Sequence, residues 1–354
     1  MTSITGAGHA PHENLPLTHD IFLGYREEIM STDTPNLLSP SPVYKPFRYP
    51  WAFEAWKTQQ SLHWLPEEIP LGDDVKDWNN NLSDTEKYLV TQIFRLFTQQ
   101  DTEVENAYID LYMPRFKPTE VRMMLSAFTN MESIHQAAYS HLLDTIGMPE
   151  TEYAAFLEYE EMAAKHEFLK RFNMDDHYNT ALSMAVFAGF TEGLQLFASF
   201  AMLLNFPRHN LMKGMGQVVT WSVRDESLHV ESITRLFKTY MQEFGRQIDK
   251  PAVADAIHLA CREIVTNEDR FIDLAFRMGP VKGLSADEVK QYIRFIANRR
   301  LIGLELNPIY DVPSNPLPWI DEMMNAVEHT NFFENRATEY SRGATQGTWD
   351  EAFA

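Results

Sequence analysis

The sequence predicts an all-α protein, a helical bundle in which four long helices form a dimetal core and further helices surround it. Helical periodicity of apolar residues runs through most of the chain, and strand alternation is almost absent. Predicted helices of about 25 to 35 residues exceed the usual length in globular proteins and are typical of bundles. Two Glu-x-x-His steps each place a carboxylate and an imidazole one turn apart on one helix face.

Capping signals and periodicity set the predicted elements. Residues 1–45, rich in Pro, Ser, Thr and His, predict a flexible arm. Ser83-Asp84-Thr85-Glu86 is a capping box that predicts a helix to about Tyr112. Pro118-Thr119 opens a second helix that closes near Gly147. Further helices are predicted at 151–172, 178–205, 211–245, 251–278 and 285–304, with a short one at 318–333.

Composition excludes several classes of protein. The formal charge of −20 and the lack of a basic cluster argue against nucleic-acid binding. The single cysteine, Cys261, excludes internal disulfides and suits a reducing cytoplasm. It lies on an apolar helical stripe, which favours a packing role over a catalytic thiol. The N-terminus lacks the basic start and apolar run of a signal peptide.

One segment is apolar enough to raise the question of a membrane span. No Lys or Arg occurs from Asn179 to Pro207, and the length permits a crossing. However, Glu192 and Gln195 lie at its middle, and no other segment resembles it. A helix that is apolar on nearly all sides also suits the centre of a bundle. We therefore expect a buried helix and no membrane association.

The spacing of Glu-x-x-His is weak evidence by itself. In a chain with 12 His and 50 acids, an acid three residues before a His arises by chance about once or twice. This chain has three such pairs, at Glu132/His135, Glu226/His229 and Asp255/His258. The third has no comparable lone acids on neighbouring apolar faces, and we interpret it as helix surface.

The faces of four predicted helices decide the matter. Each carries acids or imidazoles in the middle of an apolar stripe, namely Asp101, Glu132 with His135, Glu192, and Glu226 with His229. Separate buried ion pairs are the alternative interpretation, but the set contains no Lys or Arg. Arg224, the nearest cation in sequence, projects about 160° away from Glu226 around the helix. Four carboxylates and two neutral imidazoles balance the charge of two divalent metals.

The ligand types indicate which metals fit. Carboxylates mixed with imidazoles suit redox iron or manganese more than structural zinc. Paired ions of this kind lie about 3.5–4 Å apart, bridged by carboxylates. Glu132 and Glu226 are the natural bridges, since each shares a turn with a His. Tyr139 follows His135 by about 6 Å along the helix axis. It is either an ordinary core tyrosine or a phenol that an oxygen-activating metal pair can oxidise.

These residues together resemble the small, radical-generating subunit of class I ribonucleotide reductase. The similarity runs from about His63 to the C-terminus. Its motifs are Asp101, Glu132-Ser-Ile-His135 with Tyr139, Glu192, and Arg224-Asp225-Glu226-Ser-Leu-His229. The resemblance implies a ferritin-like fold, a homodimer, and a metal centre that uses O2 to form a radical on Tyr139, in a pocket shaped by Leu196 and Phe200. It assigns Asp101, Glu132 and His135 to one metal and Glu192, Glu226 and His229 to the other, with the two bridging glutamates shared.

The same resemblance implies a path for the oxidising equivalent. Trp64 and Asp225 look like the family's tryptophan and the carboxylate that links it to a metal-bound His. Tyr340 looks like the tyrosine that passes the equivalent to the large catalytic subunit. Read without the resemblance, Trp64 could be simple core, and Asp225 could pair with Arg224 instead.

The resemblance also implies the organisation of the chain. Residues 46–334 would form the dimetal radical domain, and the flexible tail 335–354 would dock on the large subunit. The extra Ala354 leaves the register of the tail anchor open, and Ser222 is polar where some relatives are aliphatic. The implied activity is reduction of ribonucleotides, with ribonucleoside diphosphates expected as substrates, although the sequence does not distinguish di- from triphosphates. The implied cofactor is two iron ions, and Fe/Mn or Mn/Mn pairs suit the same ligands. A stand-alone dimetal oxidase or oxygenase is the main rival, and a storage or structural protein is the second.

Overall fold

The structure is a computed structural model that describes residues 35–324. Those residues form helices and turns without a named strand, which confirms the predicted all-α class. The α-helices are α1 Pro50–Ser61, α2 Gly72–Lys76, α3 Asp84–Ala107, α4 Met113–Arg115, α5 Thr119–Ile146, α6 Glu160–Leu169, α7 His177–Val186, α8 Phe197–Arg208, α9 Lys213–Phe244, α10 Lys250–Ala275 and α11 Ala286–Gly303. Wider π-helical turns occupy Asp77–Asn81, Tyr108–Tyr112 and Phe187–Gln195.

The predicted boundaries of the two helices that begin the bundle are close to those observed. The Ser83 side chain accepts a hydrogen bond from the Glu86 amide, and Glu86 accepts one from the Ser83 amide in return. Helix α5 ends at Gly147, whose φ of 79° is the left-handed conformation that glycine adopts most easily. Both signals are local in sequence, which is why periodicity and capping sufficed to find them.

The start of α9 depends on a distant segment. The Asp74 carboxylate accepts hydrogen bonds from the amides of Gly214 and Met215 at 2.8 and 2.7 Å. A side chain at Gly214 would lie 2.8 Å from that carboxylate, so glycine permits the close approach. The carboxylate thus satisfies amides that the first turn of a helix leaves free.

The chain between residues 150 and 169 differs from the predicted helix at 151–172. Two short 3₁₀ turns, Glu150–Tyr153 and Ala155–Glu158, precede the ten-residue helix α6. The buried side chains explain the break. Phe156 and Lys165 are nine residues apart, which would put them on opposite sides of one continuous helix, at about 3.6 residues per turn. The interrupted path lets both face the interior.

Four helical segments form the centre of the bundle. They are α3, α5, the stretch from α7 through the π-helical segment to α8, and α9. Helix α3 packs along α5, while α9 packs against α7, α8 and the π-helical segment between them. The continuous helical stretch His177–Arg208 is apolar enough to span a membrane by length, but its apolar window lies entirely inside the protein. The expectation of a buried core helix is therefore confirmed.

The remaining expectations that concern single elements can be placed as well. Cys261 is fully buried in α10, and burial raises the pKa of its thiol to about 12, as suits a packing residue. Asp255 is exposed, and His258 bonds the carbonyl of Asn307, so this pair lies at the surface.

Leu37 is buried, within the predicted arm 1–45. A helix begins at residue 318, and the end of the predicted 318–333 helix lies outside the described residues.

Candidate metal centre

Six side chains from the four central segments converge at the middle of the bundle. None is more than 1% exposed; they are Asp101, Glu132, His135, Glu192, Glu226 and His229. Their potential ligand atoms fall into two groups, each with all atoms within 4.8 Å of one another. One group is Asp101, Glu132 and His135, and the other is Glu132, Glu192, Glu226 and His229. Glu132 belongs to both groups, as a bridging carboxylate would.

Both imidazoles direct the same ring nitrogen at the carboxylates. Nδ1 of His135 lies 3.4 Å from a Glu132 oxygen and 3.3 Å from a Glu226 oxygen. Nδ1 of His229 lies 3.1 Å from the other Glu132 oxygen and 3.7 Å from the other Glu226 oxygen. The two carboxyl groups of Glu132 and Glu226 thus each span the space between the imidazoles.

The donor atoms are those that metal ions require. Both Glu132 oxygens, the two Nδ1 atoms and one oxygen each of Asp101, Glu192 and Glu226 are buried without a hydrogen-bond partner in the described part of the chain. Buried polar atoms are normally satisfied, and each one left unsatisfied is costly. Two cations placed among these oxygen and nitrogen atoms would satisfy them together. The residues therefore fit a dimetal site.

The pKa values of these buried groups are shifted by their surroundings. Burial and the neighbouring carboxylates raise the pKa of Asp101, and burial raises the pKa of Glu192 to about 7. Burial lowers the pKa of both imidazoles, but attraction to the carboxylate oxygens 3.1–3.7 Å from their Nδ1 atoms outweighs it, so both pKa values are raised. The raised pKa values favour protonated forms of these groups, so protons and metal ions compete for the cluster.

A hydrogen-bonded path leads from His135 through Asp225 to the buried indole of Trp64. Asp225 is fully buried and accepts a hydrogen bond from the Trp64 indole at 2.8 Å, and Nε2 of His135 lies 3.4 Å from the same oxygen. Its other oxygen lies 3.4 Å from Arg224. Hydrogen bonds from His135 and Trp64 and the charge of Arg224 outweigh the effect of burial, so the pKa of Asp225 is lowered. An anionic Asp225 can fix the orientation of a metal-bound imidazole.

Tyr139 lies beside this cluster in a closed aromatic pocket. Its ring is 1% exposed and stacks on Phe97 with ring centroids 4.6 Å apart and planes 10° apart. Phe200 packs against Phe97, with ring centroids 5.4 Å apart. The Tyr139 hydroxyl donates to Ser222 at 2.9 Å. Ser222 was noted in the sequence only as a polar exception, and the structure gives it a direct contact with the phenol.

Two further contacts were missed by the sequence analysis. Tyr108, which shares a face with Asp101, donates a 2.6 Å hydrogen bond to Glu192. Gln59, on the unpredicted helix α1, donates to Asp225 at 3.2 Å. The helical face could have suggested Tyr108, but nothing in the sequence linked α1 to α9. Tyr340 and the tail 335–354 lie outside the described residues.

The fold and the site together define a class: an all-helical protein with a carboxylate- and imidazole-rich dimetal centre buried between four helices. A sequence profile described as "Ribonucleotide reductase, small chain" matches residues 41–316. The chain therefore belongs to the ribonucleotide reductase small-chain family. Membership of this family implies partnership with a large subunit.

Relatives and solved structures agree with this assignment. The chain is 43% identical to a probable ribonucleoside-diphosphate reductase small subunit of Invertebrate iridescent virus 3, covering 88% of each chain. It is 42% identical to a protein of the same description from Invertebrate iridescent virus 6, over 89% of this chain and 98% of the relative. The R2 subunit from Clostridium botulinum shares the ferritin-like fold, with a TM-score of 0.75, 21% identity, and coverage of 83% and 95% of the two chains. Streptococcus sanguinis dimanganese(II)-NrdF is similar, with a TM-score of 0.64, 20% identity, and coverage of 77% and 96%.

Proposed function

We propose that the six buried side chains hold two metal ions, with Glu132 and Glu226 shared between them. Asp101 and His135 would complete one coordination sphere, and Glu192 and His229 the other. A pair of iron ions is the preferred assignment. Iron with manganese and two manganese ions suit the same ligands, and a structural neighbour is described as a dimanganese protein. The observation that supports this proposal is a set of buried oxygen and nitrogen atoms around one small space, none of which has a hydrogen-bond partner among residues 35–324.

Tyr139 is proposed as the phenol that carries a stable radical. Once loaded and treated with O2, the metal pair supplies an oxidant that can take one electron from a phenol. The closed pocket around Tyr139 excludes water, and its stacking on Phe97 limits movement of the ring. Both features would lengthen the life of a neutral tyrosyl radical. Burial also raises the pKa of the phenol, so Tyr139 is protonated before oxidation.

The oxidising equivalent is proposed to leave through Trp64 and Asp225. The indole of Trp64 lies 6.1 Å from the His135 ring, and Asp225 contacts both side chains. Asp225 can accept the indole proton when Trp64 loses an electron. Tyr340, in the tail that docks on the large subunit, would carry the equivalent onward. The large subunit would then reduce ribonucleoside diphosphates to deoxyribonucleotides with its own cysteines, since this chain has one buried cysteine. We further propose a homodimer in the cytoplasm.

Metal analysis combined with EPR tests the site. Natively purified protein should contain about two ions per chain, and O2 should generate a tyrosyl signal. In Tyr139→Phe protein the metal content should stay the same, while the stable tyrosyl signal and the reductase activity with the large subunit disappear. Activity that survives this change would contradict the assignment of Tyr139.

A stand-alone dimetal oxidase on the same bundle is the alternative. Its substrate would need access to the metals, whereas all six ligands are fully buried in the structure. Removal of residues 335–354 separates the two functions. The reductase subunit would keep its tyrosyl signal and lose activity with the large subunit, whereas an oxidase would keep its activity.

A further inference from the structure

A second buried tyrosine, Tyr108, adjoins the proposed metal centre at the ligand group that contains Glu192 and His229. The hydroxyl of Tyr108 donates to Glu192 at 2.6 Å, and its ring meets the His229 ring edge-on, 6.3 Å between centroids. Tyr139 instead follows His135 by one turn of α5. The two phenols therefore adjoin different ligand groups, Tyr108 the one with His229 and Tyr139 the one with His135.

Tyr108 is the inner end of a continuous string of aromatic rings. Successive ring centroids lie 5.4 Å apart from Tyr108 to Tyr112, 6.0 Å to Phe116, 6.2 Å to Tyr240 and 5.8 Å to His177. The first four rings are fully buried, and His177 is half-buried at the start of α7. The string thus connects the Glu192 side of the metal centre with the protein surface. Tyrosine rings at such separations are efficient steps for single-electron transfer. Phe116, which is not itself oxidised, fills the space between Tyr112 and Tyr240, so the electron crosses it in one tunnelling step.

The hydroxyl groups at the two ends of the string have proton acceptors. A tyrosine that loses an electron near neutral pH also loses its phenolic proton, so the partner of the hydroxyl matters. Tyr108 has the Glu192 carboxylate, and Tyr240 has Nδ1 of His177 at 2.6 Å. The Tyr112 hydroxyl has no hydrogen-bond partner in the described part of the chain. The oxidised, radical form would therefore be stable on Tyr108 or Tyr240, and Tyr112 would be oxidised only in passing.

We propose that Tyr108, Tyr112 and Tyr240 form a second electron route between the metal centre and the surface at His177, separate from Trp64 and Asp225. This proposal rests on the proposed function, because its oxidant is the O2-treated metal pair.

The steps balance as follows. Tyr108 gives one electron to the metal pair and its proton to Glu192. Tyr240 then returns one electron to Tyr108, which recovers its proton from Glu192, and Tyr240 releases its own proton to His177. A one-electron reductant in solution then gives one electron to Tyr240, which recovers its proton from His177, so the reductant is oxidised by one electron and the net result is entry of that electron from the surface.

Removal of Tyr139 should reveal the route. Tyr139→Phe protein is loaded with Fe²⁺, mixed with O2, freeze-quenched and examined by EPR, with ring-deuterated tyrosine to identify the radical. We expect a transient tyrosyl signal that falls at least tenfold when Tyr108→Phe is added. Tyr153→Phe is the matched control, because the Tyr153 hydroxyl donates to Ser140 and its ring lies outside the string. Each substitution keeps the ring, and equal metal content verifies an intact site.

Tyr240→Phe tests the outer end in the same background. Without Tyr240 to refill it, the inner radical should form normally and persist several-fold longer. A signal that is unchanged by Tyr108→Phe, or that is lost only with Trp64→Phe, would overturn the second route. A wild-type protein without any tyrosyl signal would overturn the proposed function itself. A wild-type signal, together with a Tyr139→Phe protein that forms no tyrosyl radical, would overturn the second route alone.

Discussion

Ser222 is the side chain on which the properties of a Tyr139 radical most directly depend. In the reduced protein the phenol donates to Ser222, and Ser222 donates to the carbonyl of Val218 at 3.1 Å. A phenoxyl radical has no proton to donate, so its oxygen can only accept. The serine hydroxyl can then turn towards the radical, because the Val218 carbonyl retains its helical amide partner.

Ser222→Ala should therefore change the radical without preventing its formation. We expect the variant to lose an exchangeable proton coupling to the radical oxygen, with an altered g-tensor and a radical half-life shortened several-fold. High-field EPR and ENDOR in H2O and D2O measure these effects. Ser227→Ala is the control, since Ser227 on the same helix donates only to the Val223 carbonyl. An unchanged coupling in Ser222→Ala would show that another group donates to the radical.

The two histidines of the site differ in how they are held. Nε2 of His135 faces Asp225, whereas Nε2 of His229 has no hydrogen-bond partner in the described residues and its ring packs on Phe128, 4.2 Å between centroids. A carboxylate partner makes an imidazole a stronger metal ligand. His135 is therefore the candidate ligand whose orientation is more firmly fixed, and Asp225 connects it to Trp64.

Among the elements, the π-helical segment Phe187–Gln195 is the one that sets the position of Glu192. A π turn shifts the hydrogen-bond register, and such turns often occur at functional sites. Two positively charged side chains donate hydrogen bonds to backbone carbonyl oxygens of this segment. Arg300 donates to Gly193 at 2.7 Å, and Lys165 donates to Gln195 at 3.2 Å. Lys165 also pairs with Glu268 at 2.7 Å, and both side chains are fully buried. The segment is therefore held by side chains of α6 and α11.

Loss of Lys165 should destabilise the protein strongly. Lys165→Met leaves Glu268 buried without its cation, which typically costs about 3–5 kcal/mol. Lys165→Met with Glu268→Leu should recover most of that loss, because no buried charge then remains. Urea unfolding of metal-free protein measures the differences. Lys170→Met, at a surface pair with Glu167, should leave the free energy of unfolding unchanged. A single Lys165→Met that is as stable as the double variant would contradict this role.

The sequence predicted the helices with strong local signals and missed those without them. The Ser83 capping box located the start of α3, and Pro118 and Gly147 located the ends of α5, because these signals act within one turn. The stretch His177–Arg208 is buried on all sides, so no apolar stripe could reveal its π-helical middle. Helix α1 was missed because it buries just Ala52, Ala55 and Gln59, which give little periodicity. The six candidate ligands were found because acids are conspicuous on apolar faces, but hydrogen bonds such as Tyr108 to Glu192 depend on tertiary packing.

At the scale of the whole molecule, the centre of the bundle contains four carboxyl groups and no Lys or Arg among the site residues. Metal ions that bind the folded chain and not the unfolded one stabilise it by mass action, by about 2.7 kcal/mol per site at one hundred times the Kd. We expect Mn²⁺ or anaerobic Fe²⁺ to raise the melting temperature of metal-free protein by roughly 5–10 °C. Differential scanning calorimetry measures the shift. Mg²⁺ should have a much smaller effect, since it prefers oxygen ligands to imidazole, and an equal effect of Mg²⁺ would contradict the proposed site.

Complete burial of the six candidate ligands has a kinetic consequence. An ion in solution cannot reach side chains that are at most 1% exposed unless part of the bundle opens first. The rate of uptake should then level off as the ion concentration rises, because beyond a certain concentration the opening itself is the slow step. The same barrier would delay escape, so that the ions, once enclosed, are retained for far longer than their equilibrium affinity alone would suggest.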